Sequence, residues 1–350
     1  MMTDSVSKPP TTRRRFLLAL GATGASAAFG GGLWYLAKSG EVARLPAGLQ
    51  SAKRTGRALG ADVSILALHE DPVVAAKAID AAFAEIDTVE SVMSLYRPDS
   101  QISRLNEKRE LLKPHPYMVQ VLREANAVSA ASNGAFDVTV QPLWTLYANF
   151  AVTGHTPGTS DIDRVRKHVD WRQVEVADDR IRLKGSGTAI TLNGIAQGFA
   201  ADRVIAALTA NGIRHALVNT GEIGIMGKRG DGECWKIGVQ DPRHRDVLIR
   251  RVRLEGRCMA TSGDYEMAFT PDYVNNHIFD PHTGRSPQAF QSVTVAARTG
   301  LEADALSTAV FAAGLERGLK LIESTPGADG FFVLKNGQIQ ATAGFPGEIS

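Results

Sequence analysis

Apolar residues follow two different rhythms along this chain. In "ADVSILAL", residues 61–68, they alternate with polar ones, which is the period of a half-buried strand. From 73 to 93 they return every three or four residues. Ile79, Phe83, Ile86, Val89 and Met93 then share one stripe, and this predicts an amphipathic helix. A second helix is predicted near 117–132, with Met118, Val121, Leu122, Ala125 and Val128 on one face. Residues 172–192 read as short strands around the turn "ADD", and "NGIAQGFAADRVIAAL" opens a third helix with Ala201, Ile205 and Leu208 inward. "HALVN", "WKIGVQ" and "SVTVAA" have strand character, and 303–324 fits a fourth helix. "FFVLKNGQIQAT" predicts a hairpin turning at Asn336-Gly337. Helices and strands are intermixed, and tight turns join several strands. The pattern predicts an α+β domain rather than a doubly wound parallel sheet.

One stretch departs from both rhythms. "TTRRRFLLALGATGASAAFGGGLWYLA", 11–37, has a basic head at Arg13–Arg15 and then no charge from Phe16 to Ala37. Phe-Leu directly follows the arginines, and Gly and Ala dilute the hydrophobicity. These features resemble a twin-arginine export signal more than a plain membrane anchor. Ala25-Ser26-Ala27 offers a small-residue cleavage site, yet Trp34 and Tyr35 prolong the apolar run, which uncut is long enough to span a bilayer. The expected division is 1–37 as signal or anchor, 38–52 as linker and 53–350 as one domain. The expected location is the periplasm, reached through the twin-arginine translocase, with an uncleaved segment tying the domain to the inner membrane as the variant.

Composition adds mainly exclusions. With 350 residues, 44% hydrophobic and 22% charged, the chain is globular, and a net charge of +2 gives no reason to expect nucleic acid as a partner. Cys234 and Cys258 have no zinc-type spacing; they read as free buried thiols, with a disulfide between them in an oxidising compartment as the alternative. "RHRDVLIRRVRLEGR", 243–257, is strongly basic. It reads as the wet face of an edge strand, with a docking patch as the alternative.

Polar residues also sit where a plain core would not need them. "EADALSTAVF", 302–311, puts Asp304 and Thr308 four apart, so on a helix their oxygens project from one face. The same acid would equally suit a helix N-terminus. Others are "MSLYRPDSQISRLN", "GAFDVTVQPLW", "LNGIAQGFAADR", "LVNTGEIGIMG", "ATSGDYE" and "HIFDPHTG". Taken singly, each has a reading as a turn, loop or strand end.

Together and in this order, from about 57 to near 345, these motifs resemble the ApbE-type FAD:protein FMN transferases. The matching elements are S-x-Y…S…N, F-D-x-T, G-I-A-x-G-x-A-x-D, T-G-E, T-S-G-D-Y, H-I-x-D-P-x-T-G and A-D-A-x-x-T. The chain departs from common family residues at Leu59-Gly60-Ala61, Gln197 and His282. The resemblance implies an ApbE-like mixed fold with antiparallel sheets and packed helices. It implies an enzyme that cleaves FAD between its phosphates, moves FMN to a Thr or Ser hydroxyl of an acceptor protein and releases AMP. It implies Mg²⁺, or Mn²⁺ in its place, held by Asp304, Thr308 and the Ala196 carbonyl. Met93, Tyr96, Asp137 and Glu222 would surround the adenosine and flavin, and Ser262, Gly263 and Asp264 would approach the pyrophosphate. His277 would contact the cofactor and accept the hydroxyl proton, with Asp264 as a second catalytic residue. The competing view of His277 is a strand-end histidine holding the Asp280 turn. Implied acceptors are electron-transfer subunits of membrane complexes or a regulator of nitrous-oxide respiration. Rival readings are a periplasmic FAD pyrophosphatase and a non-catalytic FAD-binding maturation factor of a redox complex. A serine hydrolase using Ser262 and His277 lacks the G-x-S-x-G elbow.

Overall fold

The computed structural model describes residues 33–35 and 48–347. The strands are β1 (Leu33–Tyr35), β2 (Gln50–Ala58), β3 (Ala61–His69), β4 (Glu110–Leu112), β5 (Val174–Val176), β6 (Arg180–Leu183), β7 (His215–Asn219), β8 (Ile223–Met226), β9 (Trp235–Gln240), β10 (Leu248–Leu254), β11 (Cys258–Gly263), β12 (Phe290–Ala297), β13 (Asp329–Leu334) and β14 (Ile339–Ala341). The helices are α1 (Pro72–Met93), α2 (Gln101–Lys108), α3 (Pro116–Ala131), α4 (Gln141–Ala151), α5 (Thr159–Arg166), α6 (Ala196–Ala210), α7 (Gly300–Ala313) and α8 (Leu315–Glu323). Apart from Leu33–Tyr35, the arginine-headed segment with its cleavage site lies outside the described residues. Among those described, no helix is long and apolar enough to cross a membrane.

Eight strands form one sheet in the order β14-β13-β12-β11-β8-β7-β3-β2, and its ladders are antiparallel. Small sheets of order β1-β9-β10 and β4-β6-β5 flank it. The fold is therefore α+β with antiparallel sheets, as the mixed periodicity predicts. Burial explains the arrangement. β12 lies inside the sheet between β11 and β13 and is buried along its whole length, including its polar residues Gln291, Ser292 and Thr294. Phe290 on β12 packs against Phe311 and Phe332 with ring centroids 5.9 and 5.8 Å apart. Each such buried ring stabilises the fold by roughly 2 kcal/mol. On α1, Asp71 caps the first turn by accepting from the Val73 amide at 2.7 Å, and Pro72 needs no hydrogen-bond partner there. Ala75, Ile79, Ala82, Ile86 and Val89 form its buried stripe.

Two boundaries differ from the sequence reading. β2 begins at Gln50, inside the segment read as linker, and pairs with β3 from Gln50–His69 to Ala58–Ala61. It is a polar edge strand, held by its neighbour's ladder rather than by an apolar rhythm of its own. The helix expected over 303–324 is two helices. Gly314, at φ +80°, ends α7, and α8 leaves in a new direction. Cys234 and Cys258 are free thiols, and burial pushes Cys258 up to about 12.

Candidate functional site

α6 and α7 cross at two glycines. A Cβ on Gly198 would fall 2.0 Å from the Gly300 carbonyl oxygen, and one on Gly300 would fall 2.4 Å from that of Gly198. Only bare backbone permits this approach. It lets each helix cap the other. The N-cap residue of α6, Ile195, makes no side-chain bond, so its first amides need an outside acceptor. Asp304 on α7 supplies one, with Oδ2 accepting from the Gly198 N–H at 2.9 Å. In return Asp202 on α6 accepts from the amides of Gly300 and Leu301 at 2.6 and 2.9 Å. Thr308, one turn beyond Asp304, lies over Gly194, where a Cβ would come within 2.7 Å of its Oγ1. Its hydroxyl is 3.1 Å from Ser262 Oγ, which is 2.9 Å from Ser307 Oγ.

Ala196, Asp304, Thr308 and Ser262 open onto one cavity. Met93, Tyr96, Asp137, Glu222, Gly263 and His277 line it as well. Met93 is buried, while Tyr96 keeps 37% of its surface exposed. Asp137 closes a single helical turn by accepting from the Thr139 amide and hydroxyl at 2.7 and 2.5 Å, and it also holds the Trp171 amide at 3.0 Å. Burial pushes it up to about 6. Glu222 accepts from the Thr261 amide at 3.0 Å. Burial raises it well above the usual carboxylate range, and the charge of Asp304 adds to the rise. Asp304 is itself pushed up to about 7, mainly by burial. The Gly198 amide opposes that shift without cancelling it.

The donor set suits a hard cation. A buried carboxylate, a hydroxyl and a helix-end carbonyl are all oxygen donors, and a dication would relieve the repulsion between Asp304 and Glu222. Among the described residues no three His, Cys, Asp or Glu side chains gather as a metal cluster. An ion here would therefore draw on few protein ligands.

His277 Nδ1 lies 3.1 Å from the Met267 carbonyl, which only accepts. Nδ1 therefore carries the proton, and Nε2 keeps its lone pair. Burial pushes the imidazolium down to about 4, so the ring is neutral near pH 7. The Asp280 turn is held by the His282 amide and ring, both at 3.0 Å, which leaves His277 free of that duty.

A family model described as the ApbE family matches residues 59–332. The chain belongs to the ApbE family. It is 30% identical over 296 residues to the FAD:protein FMN transferase of Treponema pallidum, covering 76% of this chain and 80% of that one. It is 28% identical over 285 residues to the enzyme of the same description from Vibrio cholerae, covering 77% and 84%. The crystal structure of the ApbE protein from Thermotoga maritima superposes with a TM-score of 0.76 at 30% identity, over 85% of this chain and 98% of that one. The apo flavinyl transferase ApbE of Pseudomonas stutzeri gives 0.73 at 29% identity, over 85% and 96%.

Within this ApbE fold, one residue of the sequence-based set stands apart. Asp264 does not line the cavity. Its side chain is fully buried, and Arg243 donates to both oxygens at 2.8 Å while Lys335 donates at 2.5 Å. Arg243 also lies over the Tyr273 ring, and Lys335 donates to the Tyr273 carbonyl. Asp264 is thus the hub of an ion cluster that ties down the loop leading to His277.

Two further carboxylates escaped the sequence reading. Glu266 has one oxygen on Arg245 at 3.1 Å, and burial pushes it up to about 7. Asp202 sits inside a quoted motif, and its capping role needs the helix crossing to be seen. Two of the three departures from common family residues turn out to be neighbours. Gln197 Nε2 donates to the Leu59 carbonyl at 3.3 Å, and both residues line the cavity. Leu59 has a left-handed backbone, φ +52°, held by the bond from its amide to Glu90 at 3.0 Å.

Proposed function

We infer that this chain is an FAD:protein FMN transferase whose cavity holds FAD and admits a Thr or Ser hydroxyl of an acceptor protein. The observation that carries this reading is one cavity that joins a neutral His277, proton fixed on Nδ1, to the oxygens of buried Asp304 and half-buried Thr308. The reaction is a phosphoryl transfer. The hydroxyl oxygen bonds to the phosphorus on the FMN side of the pyrophosphate, the bridging P–O bond breaks, and AMP leaves with the electron pair. His277 Nε2 takes the hydroxyl proton. Asp304, Thr308 and the Ala196 carbonyl would hold Mg²⁺ or Mn²⁺. When bound, the ion neutralises charge building up on the pyrophosphate oxygens. Glu222 and Asp137 offer acceptors to sugar hydroxyls or ring N–H groups of FAD. The Arg13–Phe16 segment supports delivery to the periplasm by the twin-arginine route, and an electron-transfer subunit exposed there fits as acceptor.

The test combines the full chain, FAD, Mg²⁺ and a purified periplasmic electron-transfer subunit. The expected products are AMP and an acceptor heavier by one FMN group that survives denaturation. Acceptor Thr→Ala or Ser→Ala at the modified position should abolish labelling. AMP release that ignores the acceptor would replace transfer by FAD hydrolysis. Tight FAD binding with no AMP, with Mg²⁺ or Mn²⁺, would leave a maturation factor. Replacing Arg13-Arg14 by Lys-Lys should hold the protein in the cytoplasm, and unchanged periplasmic delivery would refute the export route.

A further inference from the structure

The basic stretch 243–257 is not needed for FAD chemistry, and its placement is informative. It holds six arginines against Asp246 and Glu255, in a chain whose net charge is only +2. Residues 248–254 of it are β10, the outer strand of the sheet β1-β9-β10, and among the described residues nothing pairs with that outer edge. Arg251 and Arg253 are exposed and alternate with buried Val252 and Leu254, so both arginines share the solvent face. Arg253 stands directly opposite Lys236 on β9, a like-charge cross-strand pair that disfavours the sheet. Lys236 finds partial relief from Glu233 at 3.2 Å. An edge needs some charge to avoid self-pairing, but protection alone does not require two cations facing each other.

The loop before the strand reaches the wall of the site. It carries Arg243, which grips Asp264, and Arg245, which holds Glu266 in the cavity wall. A segment laid along β10 would therefore run directly toward the cavity.

We propose that β10 is the docking strand for an extended, acidic segment of the acceptor protein. The proposal rests on the protein-acceptor reading above. The segment adds to the open edge through main-chain hydrogen bonds, and its carboxylates meet Arg251, Arg253 and Lys236. Its hydroxyl-bearing residue then lies beyond the Leu248 end, on the side where Arg245 meets Glu266 of the cavity wall.

Three synthetic peptides test this, each with a single Thr in an extended segment flanked by alternating Asp, Gln or Lys. Binding to the full chain is read by fluorescence anisotropy without FAD at low salt, and FMN transfer is then read by mass. The Asp peptide should bind at least about tenfold more tightly than the Gln peptide, with the Lys peptide weakest, and salt should erase the difference. The double variant R251E/R253E, at exposed positions, should abolish the preference and leave FAD binding unchanged. Equal binding of the Asp and Gln peptides would overturn the proposal, as would a preference that survives the double variant. Capture by anionic phosphatidylglycerol vesicles through the same two arginines, with no preference among peptides, would overturn it in favour of a lipid surface. Arg-dependent preference with no FMN added to any peptide would uphold the docking strand and count against transfer. Equal transfer to all three peptides would uphold transfer and remove the docking strand.

Discussion

Asp264 and Asp304 are both buried aspartates in motifs of the same cavity region, yet they are compensated in opposite ways. Asp264 has two cationic side chains, Arg243 and Lys335, on its carboxylate. Asp304 has only backbone amides at the start of α6, and burial pushes it up to about 7. A paired buried charge is complete and resists further ligands. One stabilised only by amides retains capacity for a cation, and that distinguishes a structural carboxylate from one suited to chemistry.

The sharpest way to break this contrast is Asp304→Asn. It keeps the shape and removes the charge, so turnover should fall about 1,000-fold, on the order of 4 kcal/mol, while melting temperature holds or rises. Calorimetric titration with Mg²⁺ should lose its signal in the same variant, and normal turnover would make Asp304 a helix cap and nothing more. Asp264→Asn should do the reverse. Stranding Arg243 and Lys335 should cost about 3 kcal/mol of stability by denaturant unfolding, with turnover per folded molecule largely kept at low temperature. His277→Ala should slow FMN transfer about 100-fold, roughly 2.7 kcal/mol, with FAD affinity nearly unchanged in a filter-binding assay.

The smallest effect sharpens the contrast through pH. Asp304, Glu222, Glu266, Asp202 and Asp137 all lie above their ordinary values in the fold. Between about 4 and 7 the folded protein therefore binds more protons than the unfolded chain, and metal-free stability falls as pH rises. His277, pushed down to about 4, works against this trend below its ordinary range. Melting temperature in chelator should drop by several degrees from pH 5 to pH 8. The drop should be smaller with Mg²⁺ present, and smaller in Asp304→Asn.

The Asp304–Thr308 pair was legible in the sequence because both oxygens belong to one helix, where spacing four places them on one face. Asp264 was not. Its partners lie 21 and 71 residues away, on a loop and a hairpin that only the tertiary fold brings together. The motif order therefore suggested chemistry where the structure supplies a clasp. Glu266 was hidden for the same reason, since only the approach of Arg245 marks it. The antiparallel α+β character followed from periodicity and tight turns. β2 did not, because an edge strand of polar residues has no apolar rhythm to detect. The break at Gly314 was obscured by apolar residues on both sides that continue the helical period across it.

The exchange of caps between α6 and α7 makes the two helix ends a single cooperative unit. Asp202 is lost to α7 if α6 frays, and Asp304 is lost to α6 if α7 frays. The amide protons of Gly198, Gly300 and Leu301 should therefore show one common opening free energy in hydrogen exchange rather than three. A divalent ion drawing on Asp304 would be felt across the crossing. Exchange at Gly300, on the helix end that Asp202 caps, should slow in proportion to ion occupancy, so protection at one amide reports loading of a site it does not touch.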